Sequence, residues 1–443
     1  MKKKVFILGL FSTVLMGTAQ SQVVEINGEI RPRFEFRDGF QKPLADTLSP
    51  ALTTLQRSRL SAGYKSKLLN TQLTLQDSRI FGSNDTKSST SKIEIYEAWA
   101  EVLLTPGVSA EIGRQKLKYD DQRILATADW SNTGLAHDVA LLKYKQQSFQ
   151  AHLGLAYNNT KDTMFEVNYT VSKMYKNMAF LWLSKEFENG LSLSAIGLRD
   201  GFQSSNNYKK TFYRNTIGGN IVYTNDSSKL AFNIAAYYQF GKSNAYDTAK
   251  LVKNITYANL GAYLLAFKVK YKIVNLLSAQ VGLDYYSGTG STTSNKESYT
   301  FNRLYGATHS FNGSMEYFKT VPKAGLADYY GGLTSNISSN LSFDLTAHLF
   351  NLVKDMKYTV KDKAGKKTTV NVGKNIGSEI DAVLNYKLTK ETSIQAGYSI
   401  YINSKSTKDY FKMSSTSIDT PQWAYLMLTI KPNFFKTPEV KLN

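Results

Sequence analysis

The chain has 443 residues, a formal net charge of +19, 29 Tyr, 23 Phe and no Cys. The absence of Cys excludes disulfide scaffolds, Cys-ligated zinc, iron–sulfur clusters and thiol catalysis. Aromatic residues make up 13% of the chain, too many for a disordered polymer, although mean hydropathy is only −0.32.

Residues 1–19 read as a secretory signal peptide. Lys2, Lys3 and Lys4 form a basic start and Val5 to Met16 an apolar run. Small residues at Gly17-Thr18-Ala19 predict cleavage before Gln20, with cleavage after Ser21 as the alternative. The remainder, 20–443, contains no apolar run near 18 residues, so no transmembrane helix is predicted. Two classes remain: a secreted soluble protein, or an outer-membrane barrel whose apolar residues are hidden by alternation.

Period-two alternation decides between them. Leu341, Phe343, Leu345, Ala347 and Leu349 oppose Ser342, Asp344, Thr346 and His348. The same pattern runs through 230–240, 277–286 and 393–402. Strands are predicted at 22–37, 55–69, 71–81, 92–104, 108–116, 137–147, 148–158, 175–185, 190–199, 212–225, 228–241, 260–273, 276–286, 324–336, 339–350, 373–388, 391–402 and 421–432. Many run ten residues or more, the length a tilted strand needs to cross the hydrocarbon layer. Aromatics near their ends, Tyr157, Tyr223, Phe240, Tyr271, Tyr285, Phe350, Tyr386 and Tyr401, suggest interfacial girdles. Tight joins, at Asn70, Thr105-Pro106-Gly107 and Gln147-Ser148 among others, alternate with long ones. The expected fold is all-β: a single 18-stranded antiparallel transmembrane barrel with short periplasmic turns and long extracellular loops. Segment 311–319 is assigned to the long loop 287–323, and 356–372 to a surface hairpin turning at 363–366.

Eighteen strands enclose a wet bore. Arg31, Arg33, Glu35 and Arg37 share one face of the first strand, and Arg57, Arg59 and Lys65 one face of the second. Arginine or lysine facing lipid at mid-membrane costs roughly 2–4 kcal/mol, so these residues are expected to face the lumen. A ladder of guanidinium groups suits carboxylate or phosphate and favours anions. The plainer alternative is that they neutralise Glu35, Asp77, Glu97 and Glu101.

Gly113-Arg114-Gln115, Tyr119-Asp120-Asp121-Gln122-Arg123, Asp129-Trp130-Ser131-Asn132-Thr133-Gly134, Tyr305 to Gly313, Met315-Glu316-Tyr317-Phe318, Gly377 to Asp381 and Trp423-Ala424-Tyr425-Leu426 form an ordered series. In this order the set resembles the alginate export family of outer-membrane barrels. The resemblance implies a monomeric eighteen-stranded channel in the outer membrane of a Gram-negative bacterium. Its founding type passes alginate, a polyuronate, through an arginine-rich constriction with loops folding into or over the pore. Carried over, it implies Arg114 as a constriction residue with Arg57, Arg59 and Arg79 beside it. Asp121, Arg123, Asp129 and Asn132 would lie in an inward-folding loop. Asp77 and Arg79 fall out of phase, on the face of Leu73 and Leu75.

The leading functional expectation is passive diffusion of anionic solutes, either uronate-type saccharides or small organic anions. A general small-solute porin and a surface adhesin are the alternatives. Catalysis is not expected: His348 and Ser342 lie six residues apart on one strand, about 20 Å. No cofactor and no metal is expected, Asp120, Asp121 and Asp129 reading as solvated or paired. The expected surroundings are outer-membrane lipid and lipopolysaccharide. Nucleic acid is not an expected partner, because the basic residues are dispersed by strand phase.

Overall fold

The computed structural model describes residues 22–45, 47–83, 93–169, 171, 174–204, 207–242, 258–291, 296–361, 365–413 and 420–438. The expected signal peptide lies outside them. The strands, in chain order, are β1 (Val23–Asp38), β2 (Ala51–Lys65), β3 (Leu69–Ile80), β4 (Glu94–Thr105), β5 (Val108–Gln115), β6 (His137–Gln146), β7 (Phe149–Tyr157), β8 (Asn177–Glu186), β9 (Leu191–Ser204), β10 (Asn207–Tyr223) and β11 (Leu230–Lys242). There follow β12 (Asn259–Val274), β13 (Leu277–Tyr286), β14 (Glu297–Ser298), β15 (Leu326–Asn336), β16 (Leu341–Asn351), β17 (Met356–Lys361), β18 (Lys367–Val372), β19 (Asn375–Lys387), β20 (Thr392–Ile402), β21 (Gln422–Ile430) and β22 (Asn433–Lys436). One short helix, α1 (Thr407–Phe411), precedes β21.

All but β14, β17, β18 and β22 form one closed antiparallel barrel of eighteen strands, as alternation predicts. Each strand pairs with the next, and β21 returns to β1 through pairs such as Phe34↔Leu426. Pro432 interrupts the final strand. Gly28 N–H donates to its carbonyl at 2.9 Å, and β22 resumes the pairing against Glu25–Asn27. β17 and β18 make the expected surface hairpin, and 311–319 stays in the loop.

Alternation sorts the side chains. Ile30, Phe34, Leu60, Leu73, Ile112, Leu155, Ile217, Phe267, Val281 and Leu426 all point outward and are exposed. Such a continuous apolar band is untenable in water and is what a bilayer solvates. Tyr157, Tyr271 and Tyr386 join it as expected, but Phe350 and Tyr401 do not. Both face the lumen, fully buried, and pack on Phe318 (4.5 Å between ring centroids) and Tyr317 (4.4 Å) of the long loop.

Boundaries differ by four or five residues at β2, β9 and β10, β2 running Ala51–Lys65 instead of 55–69. The β2–β3 turn falls at 66–68, not at Asn70, because the Ser66 hydroxyl caps it by donating to the Leu69 carbonyl (3.2 Å). Asn70 instead donates to Glu101 across the lumen face (3.0 Å). β9 and β10 extend to Ser204 and back to Asn207, beyond the predicted 199 and 212. They continue where lipid no longer imposes a two-residue hydrophobic period.

Candidate functional site

Among the described residues two connections fold into the bore: the first joins β5 to β6 (116–136), and the second, described at 287–291 and 296–325, joins β13 to β15. They pair with each other through an isolated bridge, Leu125↔Tyr305. Ala126 N–H donates to the Tyr305 carbonyl, and Tyr305 N–H to the Ile124 carbonyl, both at 3.1 Å.

The arginine ladder holds the first loop. Arg31 donates to the carbonyls of Asp129 (2.5 Å), Trp130 (3.1 Å) and Ser131 (2.8 Å). Arg33 donates to the Trp130 carbonyl (2.8 Å) and to Glu35 (2.7 Å), which also takes Arg37 (2.8 Å). Arg57, with no exposed surface, binds Glu29 (2.5 Å), the Asp129 carboxylate (3.0 Å) and the carbonyls of Asp129 and Ser131. Arg59 reaches Gln76 (2.8 Å), Asp129 (3.3 Å) and the Thr133 carbonyl (3.1 Å). Its guanidinium lies 3.8 Å from the centroid of the Tyr96 ring. A bulge in β4 opposite Thr74 and Leu75 turns both Tyr96 and Glu97 inward to allow this. Asn132 donates to the Gln56 carbonyl (3.1 Å) at the rim. The guanidinium groups therefore line the bore but mostly face a polypeptide, not water.

The loop's other end is fastened across the bore. Arg123 grips Asp284 of β13 through two bonds (2.7 and 2.8 Å), also binds Asp121 (2.8 Å), and stacks on Phe311 (4.0 Å). On either side of Arg123, Leu117, Tyr119, Ile124 and Leu125 bury in one cluster with the apolar wall that includes Phe180, Trp182, Ile196 and Leu198. The signal for that wall is the unbroken apolar run Met178–Leu183, since a strand covered on both faces loses its alternation.

The second loop packs on β19 to β21. Met315 N–H donates to Glu379 (2.7 Å), and the Tyr317 hydroxyl to the Gly39 carbonyl (2.7 Å). His309 stacks on Trp130 with 4.0 Å between centroids, and Arg33 lies 4.2 Å from the same indole. Glu316 accepts from His309 (3.1 Å) and Lys319 (3.0 Å). Burial pushes this carboxyl up, but His309 and Lys319 outweigh it and bring it down to about 2 from an ordinary 4.5. A lowered carboxyl stabilises the docked loop fully above its ordinary value and loses that contribution as it protonates. Channel current should thus be steady at neutral pH and become noisier between about pH 4.5 and about pH 2. Glu316→Gln should lack this acid transition, as recordings over a pH series will test.

Two expected constriction residues are placed elsewhere. Arg79 lies outward with Leu73 and Leu75, because β2 and β3 pair without a bulge, and it binds Asp77 (2.6 Å). Arg114 also points outward. Glu111 and Gln115 occupy the lumen phase, and Arg114 pairs with outward Asp138 (3.2 Å). Gly113 between them has φ +130°, and a Cβ there would meet the Ala98 carbonyl at 2.2 Å, so only glycine fits. Lys65 is exposed on the lumen phase near the short-turn end. Glu97 and Glu101 take Lys116 (3.1 Å) and Lys143 (3.4 Å) rather than arginines. Neutralising Arg79 and Arg114 together should leave the reversal potential in a salt gradient unchanged.

Charge divides the bore. The β1–β2 wall with its docked loops pairs Arg33, Arg37, Arg57, Arg59, Lys319 and Lys431 with Glu29, Glu35, Asp129 and Glu316, and adds Arg31, which binds only loop carbonyls. The wall formed by β13, β15, β16 and β19 carries Asp284, Asp328, Asp344, Glu379 and Asp381. A cavity of about 430 Å³ lies against it, bounded also by Asp121, Arg123, Lys268 and His348. Among the described residues no group of three or more His, Asp or Glu is arranged to hold a metal ion.

A barrel closed on itself, apolar outside and charged inside, matches the family model described as alginate export over residues 23–403. The chain belongs to the alginate export family. It is accordingly an outer-membrane channel protein of the Gram-negative type. No curated protein matches it. Among solved structures it is similar to OccK11 (OpdR) of Pseudomonas aeruginosa, at 11% identity over 93% of this chain and 96% of that one, with a TM-score of 0.57. OpdK of the same organism, solved with vanillate, gives 8% identity over 93% and 99%, with a TM-score of 0.57. OccAB4 of Acinetobacter baumannii gives 11% over 94% and 99%, with a TM-score of 0.56. At these identities the likeness establishes the barrel fold. Within it, the alginate export family member here carries two docked loops and a bore with unlike walls.

Proposed function

We propose that this channel passes small hydroxylated anions, uronate-type saccharides foremost, by passive diffusion through a monomeric barrel. The observation that carries the reading is the unequal charge of the β1–β2 wall, where seven cations meet four carboxylates. The surplus positive charge attracts a carboxylate. Arg37, Lys319 and Lys431 are its exposed or partly exposed members. The carboxylates that line the cavity on β13 to β19, Asp284, Asp328, Asp344 and Asp381, offer acceptors to hydroxyl groups. A sugar acid has one group for the first wall and several for the second. Neutral sugars lack the carboxylate, and inorganic anions lack the hydroxyls.

Planar-bilayer recording tests the reading. Reversal potentials in a potassium chloride gradient should indicate anion preference. Galacturonate oligomers should block the current more strongly than neutral oligosaccharides of the same length, with vanillate as an aromatic comparator. Cation preference in the parent protein overturns the proposal.

A further inference from the structure

Three arginines stand on the outward face toward the long-loop end of the barrel: Arg79, Arg114 and Arg199. The first two bring their own carboxylates, Asp77 and Asp138. Arg199 is different. Its cross-strand neighbours are Ala179 and Asn215, and it makes no ion pair among the described residues. Its guanidinium lies 3.9 Å from the centroid of the Tyr213 ring, which holds it against the wall.

Beside it a furrow of about 300 Å³ crosses β7, β8 and β9. Outward Leu155, Tyr157, Asn177 and Ala179 line it with Arg199. The furrow exists because Ala179 is small between Leu155 and Arg199, and Gly197 continues the low ground toward mid-membrane. Glu166, which accepts from the Tyr157 hydroxyl (2.9 Å), is already taken by Lys176 (2.8 Å).

Height fixes what surrounds the furrow. Arg199 is eight residues above the start of β9 at the short-turn end. At strand rise and barrel tilt that is about 20 Å, close to the top of a ~25 Å apolar band. The neighbour at that level is the outer leaflet, and a guanidinium facing lipid calls for an anion. We propose that this furrow binds one lipid A moiety of lipopolysaccharide, a phosphoryl group on Arg199 and an acyl chain along Ala179 and Gly197. Arginine matches phosphate through paired N–H donors, and the apolar floor suits a chain.

Native mass spectrometry of the detergent-purified protein, loaded with bisphosphorylated lipid A, dephosphorylated lipid A or phosphatidylglycerol, tests this. The parent protein should retain bisphosphorylated lipid A in preference to both others. Arg199→Gln should lower that retention about tenfold, the loss of one charge-assisted contact. Arg114→Gln should leave it unchanged. Equal retention with and without the phosphates, stronger retention of phosphatidylglycerol, or full retention by Arg199→Gln would each overturn the proposal. The comparison of lipids uses the parent protein and does not depend on the variant folding.

Discussion

Replacing Arg57 with methionine is expected to cost about 3–5 kcal/mol of stability and to raise single-channel conductance. Arg57 has no exposed surface and joins β1, β2 and the first inward loop through Glu29, Asp129 and two loop carbonyls. Without it, Glu29 is a buried carboxylate whose remaining cation, Lys431, lies 3.6 Å away. Removing one member of a buried pair leaves the other desolvated and uncompensated, which is the larger part of the loss. The conductance change has a separate cause. Loop 129–133 loses its most central donor and should leave the bore for part of the time. Thermal unfolding followed by gel mobility and bilayer recording check the two effects. Adding Glu29→Gln should recover much of the stability but none of the loop closure. A conductance equal to the parent's would mean that Arg31 and Arg33 suffice to hold the loop.

Arg123→Leu is expected to release the same loop from β13, at a similar cost of about 3–5 kcal/mol. Asp284 is 1% exposed and receives both terminal nitrogens of Arg123. The substitution removes one of two permanent positive charges, Arg123 and Lys268, from a cavity that Asp121, Asp284, Asp328, Asp344 and Asp381 also line. Reversal potential should shift toward cations, in contrast to the unshifted potential expected on neutralising outward Arg79 and Arg114. Asp284→Asn in the Arg123→Leu background should reverse part of the shift. An unchanged selectivity would place the conduction path away from this cavity.

The strands were legible because lipid on one side and water on the other force a period of two, and 341–349 shows it without error. Legibility ends where one of those solvents is missing. β9 and β10 project past the apolar band, so Asp200 to Ser204 carry no alternation, and their ends were predicted five residues short. β8 is apolar on both faces because its inner face meets Leu125 and Tyr119 rather than water. The docking of loop 116–136 was hidden for another reason. Its partners on the arginine side are mainly backbone carbonyls, which every residue possesses and no sequence pattern reveals. Resemblance implied an inward loop containing Arg123 and Asp129 and a constriction residue at Arg114; the structure lays that loop against the inner wall and turns Arg114 outward, where its neighbour Asp138 allows a charged side chain at the rim.

The join between β1 and β21 has a consequence for assembly. Its residues are almost four hundred positions apart along the chain, yet the indole N–H of Trp423 donates to Glu35 (3.1 Å) inside the seam. Trp130 of the first inward loop packs edge-on to Trp423 and Tyr425 of β21, while Arg31 and Arg33 of β1 hold its neighbouring carbonyls. The bed of the first inward loop is therefore complete only when the first and last strands have met. A barrel still open at that seam would lack one side of the bed on which the first inward loop lies, so closure of the barrel and docking of that loop complete each other.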